Sequence, residues 1–191
     1  MVQENAVTVL ALPVSSRDHS QGLETAAVTL VEYGDYQCPH CAEAHQIVRS
    51  LQQQLQGQIQ FVFRHFPCPD LHPQAQQAAE AVEAAAGQGQ FWQMHHCLFT
   101  QQHALEAADL VEYAAVIGLD AMQFLRDLAD RVYADRVQQD TASGIASGVN
   151  HTPTFFINRT RYDGSWDKVT LMSVLRQHCE VPQDQCFDHR T

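Results

Sequence analysis

The segment Val31–Cys41, VEYGDYQCPHC, decides how the sequence is interpreted, because it ends in two cysteines separated by two residues. Such a pair suits half of a zinc site, a structural disulfide, or a thiol pair that exchanges disulfides. The preceding stretch Ala26–Gly34 is apolar and β-branched, as in a strand buried on both faces. From Pro39 onward, apolar residues recur at three- and four-residue spacing, which predicts a helix. The cysteine pair therefore lies at a predicted strand-to-helix junction.

The rest of the chain extends this junction into an α/β arrangement. Ile59, Phe61 and Phe63 alternate with other residues in a second predicted strand, which completes a βαβ unit. A long helical region follows, and the stretch TFFI after it predicts a short buried strand before a terminal helix. We expect four segments in one domain: an N-terminal extension (1–25), a βαβ half (26–66), a helical insertion (67–149) and a ββα half (150–191).

The spacing of the cysteines favours thiol–disulfide exchange over the other two chemistries. A zinc site would need a second Cys/His pair at similar spacing, which the sequence lacks, although His45 could add a third ligand. A structural disulfide across so short a loop would remove little chain entropy. A cysteine at a helix N-terminus, in contrast, is stabilised as the thiolate. We predict that Cys38 is the nucleophile, that Cys41 resolves the mixed disulfide, and that a protonated His40 assists.

The motif CPHC after one strand, with HTPTFF before another, resembles the thioredoxin superfamily and specifically its DsbA-like members. The resemblance covers nearly the whole chain, including the helical region. It implies a thioredoxin fold, in which a central mixed β-sheet is flanked by helices. It also places an α-helical insertion between the βαβ half and the C-terminal ββα half. Pro39 and His40 form the dipeptide that is typical of the DsbA branch.

Three further positions acquire roles from this resemblance. Glu32 matches the buried acid of the superfamily, whose raised pKa would let it relay a proton to or from Cys41. The alternative is a strand-end glutamate that reaches solvent. Thr152 and Pro153 match a loop whose proline is cis and faces the cysteines. There the backbone of Thr152 would pair with an extended substrate.

Charge and hydropathy exclude several classes of function. The net charge of −11 leaves no basic surface for nucleic acid or an anionic membrane. No apolar run approaches the roughly 18 residues that a membrane-spanning helix needs. The start of the chain lacks the features of a signal peptide, so we expect a cytoplasmic protein, or a periplasmic one if a leader was trimmed. The sequence has no nucleotide or flavin motif, and we expect no cofactor besides a redox-active Cys38–Cys41 disulfide.

These observations predict a monomeric protein dithiol–disulfide oxidoreductase that acts on protein or small thiol substrates and is recycled by an unidentified redox partner. A stabilised Cys38 thiolate favours the oxidising direction, because it stabilises the reduced enzyme. A cytoplasmic location would favour reduction instead. A thioredoxin-like reductase therefore stays open, as does a metal- or client-binding module without turnover.

The other cysteines and histidines have less definite interpretations. Cys179 and Cys186 flank a loop that a disulfide could close, although both would be free in a reducing cytosol. We interpret Cys97 as a small buried hydrophobic residue and Cys68 as a loop thiol. Four histidines are interpreted as core or surface residues rather than metal ligands: His65, His72, His95 and His96.

Overall fold

The fold is built on a five-stranded mixed sheet, in a computed structural model that describes residues 8–180. The strands are β1 (His19–Gln21), β2 (Val28–Gly34), β3 (Ile59–His65), β4 (Thr154–Ile157) and β5 (Thr160–Tyr162). Their order across the sheet is β1-β3-β2-β4-β5. The central pair β2 and β3 is parallel, and every other pair is antiparallel. The predicted α/β architecture with a mixed sheet is confirmed.

Seven helices accompany the sheet in the described part of the chain. Helix α1 (Pro39–Gln54) connects β2 to β3, as expected for a βαβ unit. Five helices fall within the predicted helical insertion: α2 (Ala75–Ala86), α3 (Phe91–Thr100), α4 (Ala107–Val116), α5 (Ala121–Ala129) and α6 (Ala134–Ala146). Helix α7 (Lys168–Glu180) ends the described chain, and the side chain of Asp167 accepts from the backbone N–H groups of Val169 and Thr170 at its start. None of these helices combines the length and apolar character needed to cross a membrane.

Strand β1 comes from the segment predicted as an N-terminal extension. Its three residues are polar, so hydrophobic periodicity does not identify it as a strand. It nevertheless pairs antiparallel with β3, with His19 opposite Phe63. The edge of β3 is thereby covered by hydrogen bonds that its neighbour supplies.

The central strand β2 is buried on both faces, as its composition predicts. Leu30 belongs to the larger hydrophobic core with α1 and the helical insertion, whereas Val31 and Tyr33 belong to a smaller core on the opposite face. Because side chains alternate along a strand, Glu32 points to the same face as Leu30. The sheet thus directs a carboxyl group into the apolar layer that contains Cys41.

Candidate active site

Cys38 and Cys41 occupy the first turn of α1, directly after the carboxyl end of β2. Cys38 is the N-cap residue, with an extended backbone, and Pro39 opens the helix. A proline is tolerated there because the first helical N–H has no partner within the helix. The two cysteines approach within 3.8 Å of each other, and both are free thiols in the structure.

The surroundings of Cys38 favour its thiolate. A hydrogen bond from the Cys41 thiol contributes most and lowers the pKa of Cys38 from 9.0 to about 5. Burial opposes this shift, while the side chain of Thr152 and the backbone N–H groups of Cys41 and His40 support it. The Cys38 thiolate is therefore an anion stabilised at the N-terminus of α1.

Cys41 has the opposite electrostatic character. It is fully buried, and burial raises the pKa of its thiol well above 9.0. Its hydrogen bond to Cys38 and the nearby Glu32 carboxyl group raise it further, against a backbone N–H of Asp35 that lies 3.5 Å from its sulfur. One sulfur of the pair is therefore a ready nucleophile and the other holds its proton.

Glu32 lies in the core, as predicted from its place in β2. Only 2% of its surface is exposed, and burial, followed by the charge of Cys38, raises its pKa from 4.5 to about 8. Its Oε1 atom has no hydrogen-bond partner among the described residues. Gly34 leaves room for this carboxyl group, since a Cβ atom there would lie 3.2 Å from Oε1 and 2.5 Å from the ring of Phe63. The solvent-reaching alternative for Glu32 is thus excluded.

The loop before β4 lies against the nucleophile. The Thr152–Pro153 peptide bond is cis, as the resemblance implies. The sulfur of Cys38 lies 3.5 Å from the backbone carbonyl oxygen of Thr152. This loop and the N-terminus of α1 together surround the sulfur of Cys38.

Pro39 and His40 are both exposed at the surface beside Cys38. The sequence predicts that His40 acts through a protonated ring. The structure instead gives a contribution from its backbone N–H, which is one of the groups that lower the pKa of Cys38. The exposed side chain remains available to an incoming substrate.

Asp35 is a buried residue of the site that sequence analysis missed. Its backbone N–H donates to the sulfur of Cys41. Its carboxylate accepts from the backbone N–H of Cys68 at 2.9 Å and from Nδ1 of His72 at 2.8 Å. A polar residue directly after the carboxyl end of a parallel strand was the available signal, because ligand and catalytic sites of α/β sheets gather there.

Gln102 connects the helical insertion to the segment that precedes and begins α1. Its side-chain amide donates to the backbone carbonyls of Tyr36 and Cys38, both at 2.8 Å. The hydroxyl of Tyr36 also contacts Nδ1 of His95 at 2.9 Å. No local pattern in the sequence indicates these contacts, since each joins residues that are more than fifty positions apart.

The remaining thiols lie outside this site or at its border. Cys68, Cys97 and Cys179 are free. Cys97, interpreted as a small buried hydrophobic residue, is instead only partly buried on α3. Cys186, the predicted partner of Cys179, lies outside the described residues, so that pairing stays a prediction.

A group of titratable side chains outside the cysteine site also escaped prediction. Ligand-type atoms of His65, Glu83 and Asp140 lie within 4.8 Å of one another. Arg136 forms ion pairs with both carboxylates, so one cationic side chain already offsets part of the negative charge of this cluster.

Comparison with known proteins assigns the family. A family model described as Thioredoxin matches residues 15–176. The chain belongs to this thioredoxin family. Its fold is that of DsbA-like members of the superfamily, as the sequence motifs imply.

Solved structures support this assignment at the level of the fold. BdbD from Bacillus subtilis, in its oxidised form, is similar with a TM-score of 0.80 and 22% identity, covering 91% of this chain and 99% of that one. A thioredoxin-like oxidoreductase from Silicibacter pomeroyi DSS-3 is similar with a TM-score of 0.77 and 25% identity, covering 88% and 95%. The thiol-disulfide exchange protein alpha-DsbA2 from Wolbachia pipientis gives a TM-score of 0.71 at 22% identity, covering 84% and 86%.

Curated relatives with higher identity are much longer proteins. One, named Na(+)/H(+) antiporter NhaA 1, from Salinispora arenicola, is 44% identical over 174 residues, which is 91% of this chain. Another, named Na(+)/H(+) antiporter NhaA, from Herminiimonas arsenicoxydans, is 44% identical over 168 residues. The thioredoxin-family chain spans about a quarter of the length of these relatives.

Proposed function

We propose that this protein catalyses thiol–disulfide exchange, with Cys38 as the nucleophile and Cys41 as the resolving thiol. The observation that carries the proposal is the opposite shift of two adjacent thiols, since the pKa of Cys38 falls to about 5 and that of Cys41 rises. A low-pKa thiol at a helix N-terminus is the form that attacks or leaves readily. The fold shared with a thiol-disulfide exchange protein supports this proposal.

The proposed direction is the oxidation of a substrate dithiol. A substrate thiolate attacks the sulfur of Cys38 in the Cys38–Cys41 disulfide, and Cys41 leaves as a thiolate. Glu32, which holds its proton up to about pH 8, then protonates Cys41. The second substrate thiolate attacks the substrate sulfur of the mixed disulfide, and Cys38 leaves as its stable thiolate. Two electrons pass from the substrate to the enzyme, and the substrate gains a disulfide.

The loop before β4 has a positioning role in this proposal. The backbone of Thr152 lies beside the sulfur of Cys38, where an extended substrate would add a strand-like pairing. Pro153 shapes the loop at that point. The exposed surfaces of Pro39 and His40 would contact the substrate from the other side.

The reduction potential of the Cys38–Cys41 pair tests both the chemistry and its direction. The protein is equilibrated with glutathione buffers, its thiols are trapped by alkylation, and the peptide that holds both cysteines is quantified by mass spectrometry. We expect a value well above the thioredoxin value of about −270 mV and closer to the DsbA value of about −120 mV, because thiolate stabilisation favours the reduced form. A thioredoxin-like value would reverse the proposed direction to reduction.

Variants separate the two sulfurs. In Cys41→Ser, the Cys38 thiolate should attack a disulfide-bonded peptide, release one peptide thiol and remain trapped as a mixed disulfide, whereas Cys38→Ser should trap none. Absence of exchange with glutathione in the native protein would overturn the proposal and favour a binding module.

The cellular setting belongs to the same proposal. A monomer that meets protein or small thiol substrates, and a redox partner that recycles it, suffices for this cycle. An oxidising potential would suit an oxidising compartment better than the predicted cytoplasm. Size-exclusion chromatography with light scattering and cell fractionation test the two predictions.

A further inference from the structure

A cavity of about 460 Å³ lies between α1 and α3, away from the cysteine pair. Its volume is in the range that small organic ligands occupy. Arg49, which lines it, follows Cys38 by eleven positions, or roughly 16 Å along the helix axis. The cavity is therefore separate from the surface where disulfide exchange is proposed, and its occupancy does not depend on that function.

The cavity is positively charged in a strongly acidic protein. The chain has a net charge of −11, yet among residues 8–180 no Asp or Glu lines the cavity. Its charged side chain is Arg49, and five amides surround it: Gln21, Gln52, Gln53, Gln56 and Gln93. Amide N–H groups and a guanidinium group are the donors that an anion needs.

Arg49 presents an unused pair of donors to this space. Its Nη1 atom lies 3.2 Å from Nδ1 and 3.1 Å from Nε2 of His96. Within residues 8–180, its Nε and Nη2 groups have no hydrogen-bond partner, and it forms no ion pair with a carboxylate. A guanidinium edge with two parallel N–H groups fits a carboxylate in bidentate geometry.

Two imidazoles form the end of the cavity beside Arg49. Nε2 of His45 lies 3.0 Å from Nδ1 of His96. Burial, followed by the charges of His96 and Arg49, lowers the pKa of His45 to about 4, and burial also lowers the pKa of His96. Both rings are neutral at neutral pH, so the positive charge at this end of the cavity is that of Arg49.

The opposite wall of the cavity is aromatic. Trp92 and Phe61 line it, with their ring centroids 5.9 Å apart. Phe61 is buried, and Trp92 is partly exposed toward the cavity. The two rings are tilted by 48° to one another, so the partly exposed Trp92 would supply the main contact for an apolar body of a ligand.

We propose that this cavity binds a small organic carboxylate. Its carboxylate pairs with Nε and Nη2 of Arg49, and its apolar body lies against Trp92 and Phe61. The proposal goes beyond the redox function, because it involves neither cysteine of the pair.

Benzoate is the probe for this site, and benzamide is its uncharged analogue. A ¹H–¹⁵N NMR titration of the whole protein should show saturable shifts at the Arg49 Nε–H group and along the facing sides of α1 and α3. We expect benzamide to bind at least tenfold more weakly. We expect Arg49→Gln to weaken benzoate binding at least tenfold, because a charge-assisted bidentate contact is lost.

The matched control is Arg126→Gln, which neutralises another exposed arginine on α5 and should leave benzoate affinity unchanged. Arg49 is exposed, so its variant should keep the native backbone spectrum. Three results would overturn the proposal: equal binding of benzamide, undiminished binding in Arg49→Gln, or no saturable shifts at millimolar benzoate. Displacement of benzoate by inorganic phosphate, with phosphate giving the same shifts, would assign an inorganic anion site instead.

Discussion

Two glutamates, Glu32 in β2 and Glu83 in α2, are buried to similar extents but have opposite acid–base character. Their exposed fractions are 2% and 4%. Burial raises the pKa of Glu32 to about 8. Burial would raise that of Glu83 too, but hydrogen bonds from His19 and His65 outweigh it and lower the pKa well below 4.5. Burial alone therefore does not decide whether a carboxyl group is charged.

The difference lies in the donors around each carboxyl group. Glu83 contacts Nε2 of His19 at 3.0 Å and Nε2 of His65 at 2.9 Å, and Nε of Arg136 lies 3.6 Å away. These partners come from β1, β3 and α6, so the charged carboxylate joins the sheet to the insertion. Glu32 has an Oε1 atom without any described partner. A buried carboxylate that accepts hydrogen bonds stays ionised and stabilises the fold, whereas a buried carboxyl group without hydrogen-bond donors stays protonated.

The largest expected effect is on stability, when the charged member of the comparison is removed. Glu83→Ala leaves His19, His65 and Arg136 without their shared partner, and we expect the free energy of unfolding to fall by about 3–5 kcal/mol. Urea denaturation measures this loss. Glu80→Ala is the matched control on the same helix, because Glu80 pairs with the exposed Arg131 and should cost much less. Equal losses in both variants would contradict the structural role of Glu83.

The second effect concerns the dependence of stability on pH. The folded protein keeps the Glu32 proton up to about pH 8, whereas the unfolded chain releases it near 4.5. The stabilising contribution of this proton is complete below pH 4.5 and is lost as the pH rises toward 8. Relative to Glu32→Gln, we expect the native protein to lose about 2.5 kcal/mol of stability between pH 5 and pH 7.

Urea denaturation at several pH values, performed on both proteins, measures this difference. Glu83 has the opposite sign, because a carboxylate with a lowered pKa loses its contribution as the pH falls. A Glu32→Gln curve that parallels the native one across this range would show that Glu32 is already ionised in the folded state.

The third effect is on the rate of exchange. Glu32→Gln removes the proton that Cys41 is proposed to receive, and we expect roughly a hundredfold slower reduction of the Cys38–Cys41 disulfide by a dithiol peptide. Stopped-flow kinetics over a range of pH measures this rate. Glu83→Gln is the comparison, and it should keep the native rate under conditions where it is folded. An unchanged rate in Glu32→Gln would remove the glutamate from the mechanism.

The smallest expected effect distinguishes the two causes of the raised pKa of Glu32, which are burial and the charge of Cys38. In Cys38→Ser the neighbouring thiolate is absent, so the pKa of Glu32 should fall somewhat below 8 while staying above 4.5, because burial is the larger cause. The side-chain carboxyl ¹³C shift of Glu32, followed by NMR during a pH titration, gives the midpoint. An unchanged midpoint would assign the whole shift to burial.

The same contrast shows what the sequence can predict. Glu32 could be predicted because it lies in an apolar β-branched run at a fixed distance from the cysteine motif. The burial of Cys41 could also be predicted, since its position one turn into α1 faces the core. Such features depend on local periodicity and on motifs, both of which are visible in one chain.

The network of Glu83 could not be predicted in this way. Its partners are distant in sequence, with His19 on a strand whose polar residues carry no strand signal. Glu83 itself lies in an alanine-rich helix, where a glutamate is usually interpreted as solvent-exposed. Gln102 shows the same limit, because its contact with the carbonyl of Cys38 exists only once the insertion has packed on the sheet.

The lowered pKa of Cys38 also provides a selective handle for chemical labelling. Burial raises the pKa of Cys68, Cys97 and Cys179, and that of Cys41 is raised most strongly. Because alkylating electrophiles react with thiolates, a brief treatment at mildly acidic pH should modify Cys38 among the described thiols. A fluorophore or a covalent inhibitor can thus be attached beside the Thr152 loop while the other cysteines stay unmutated.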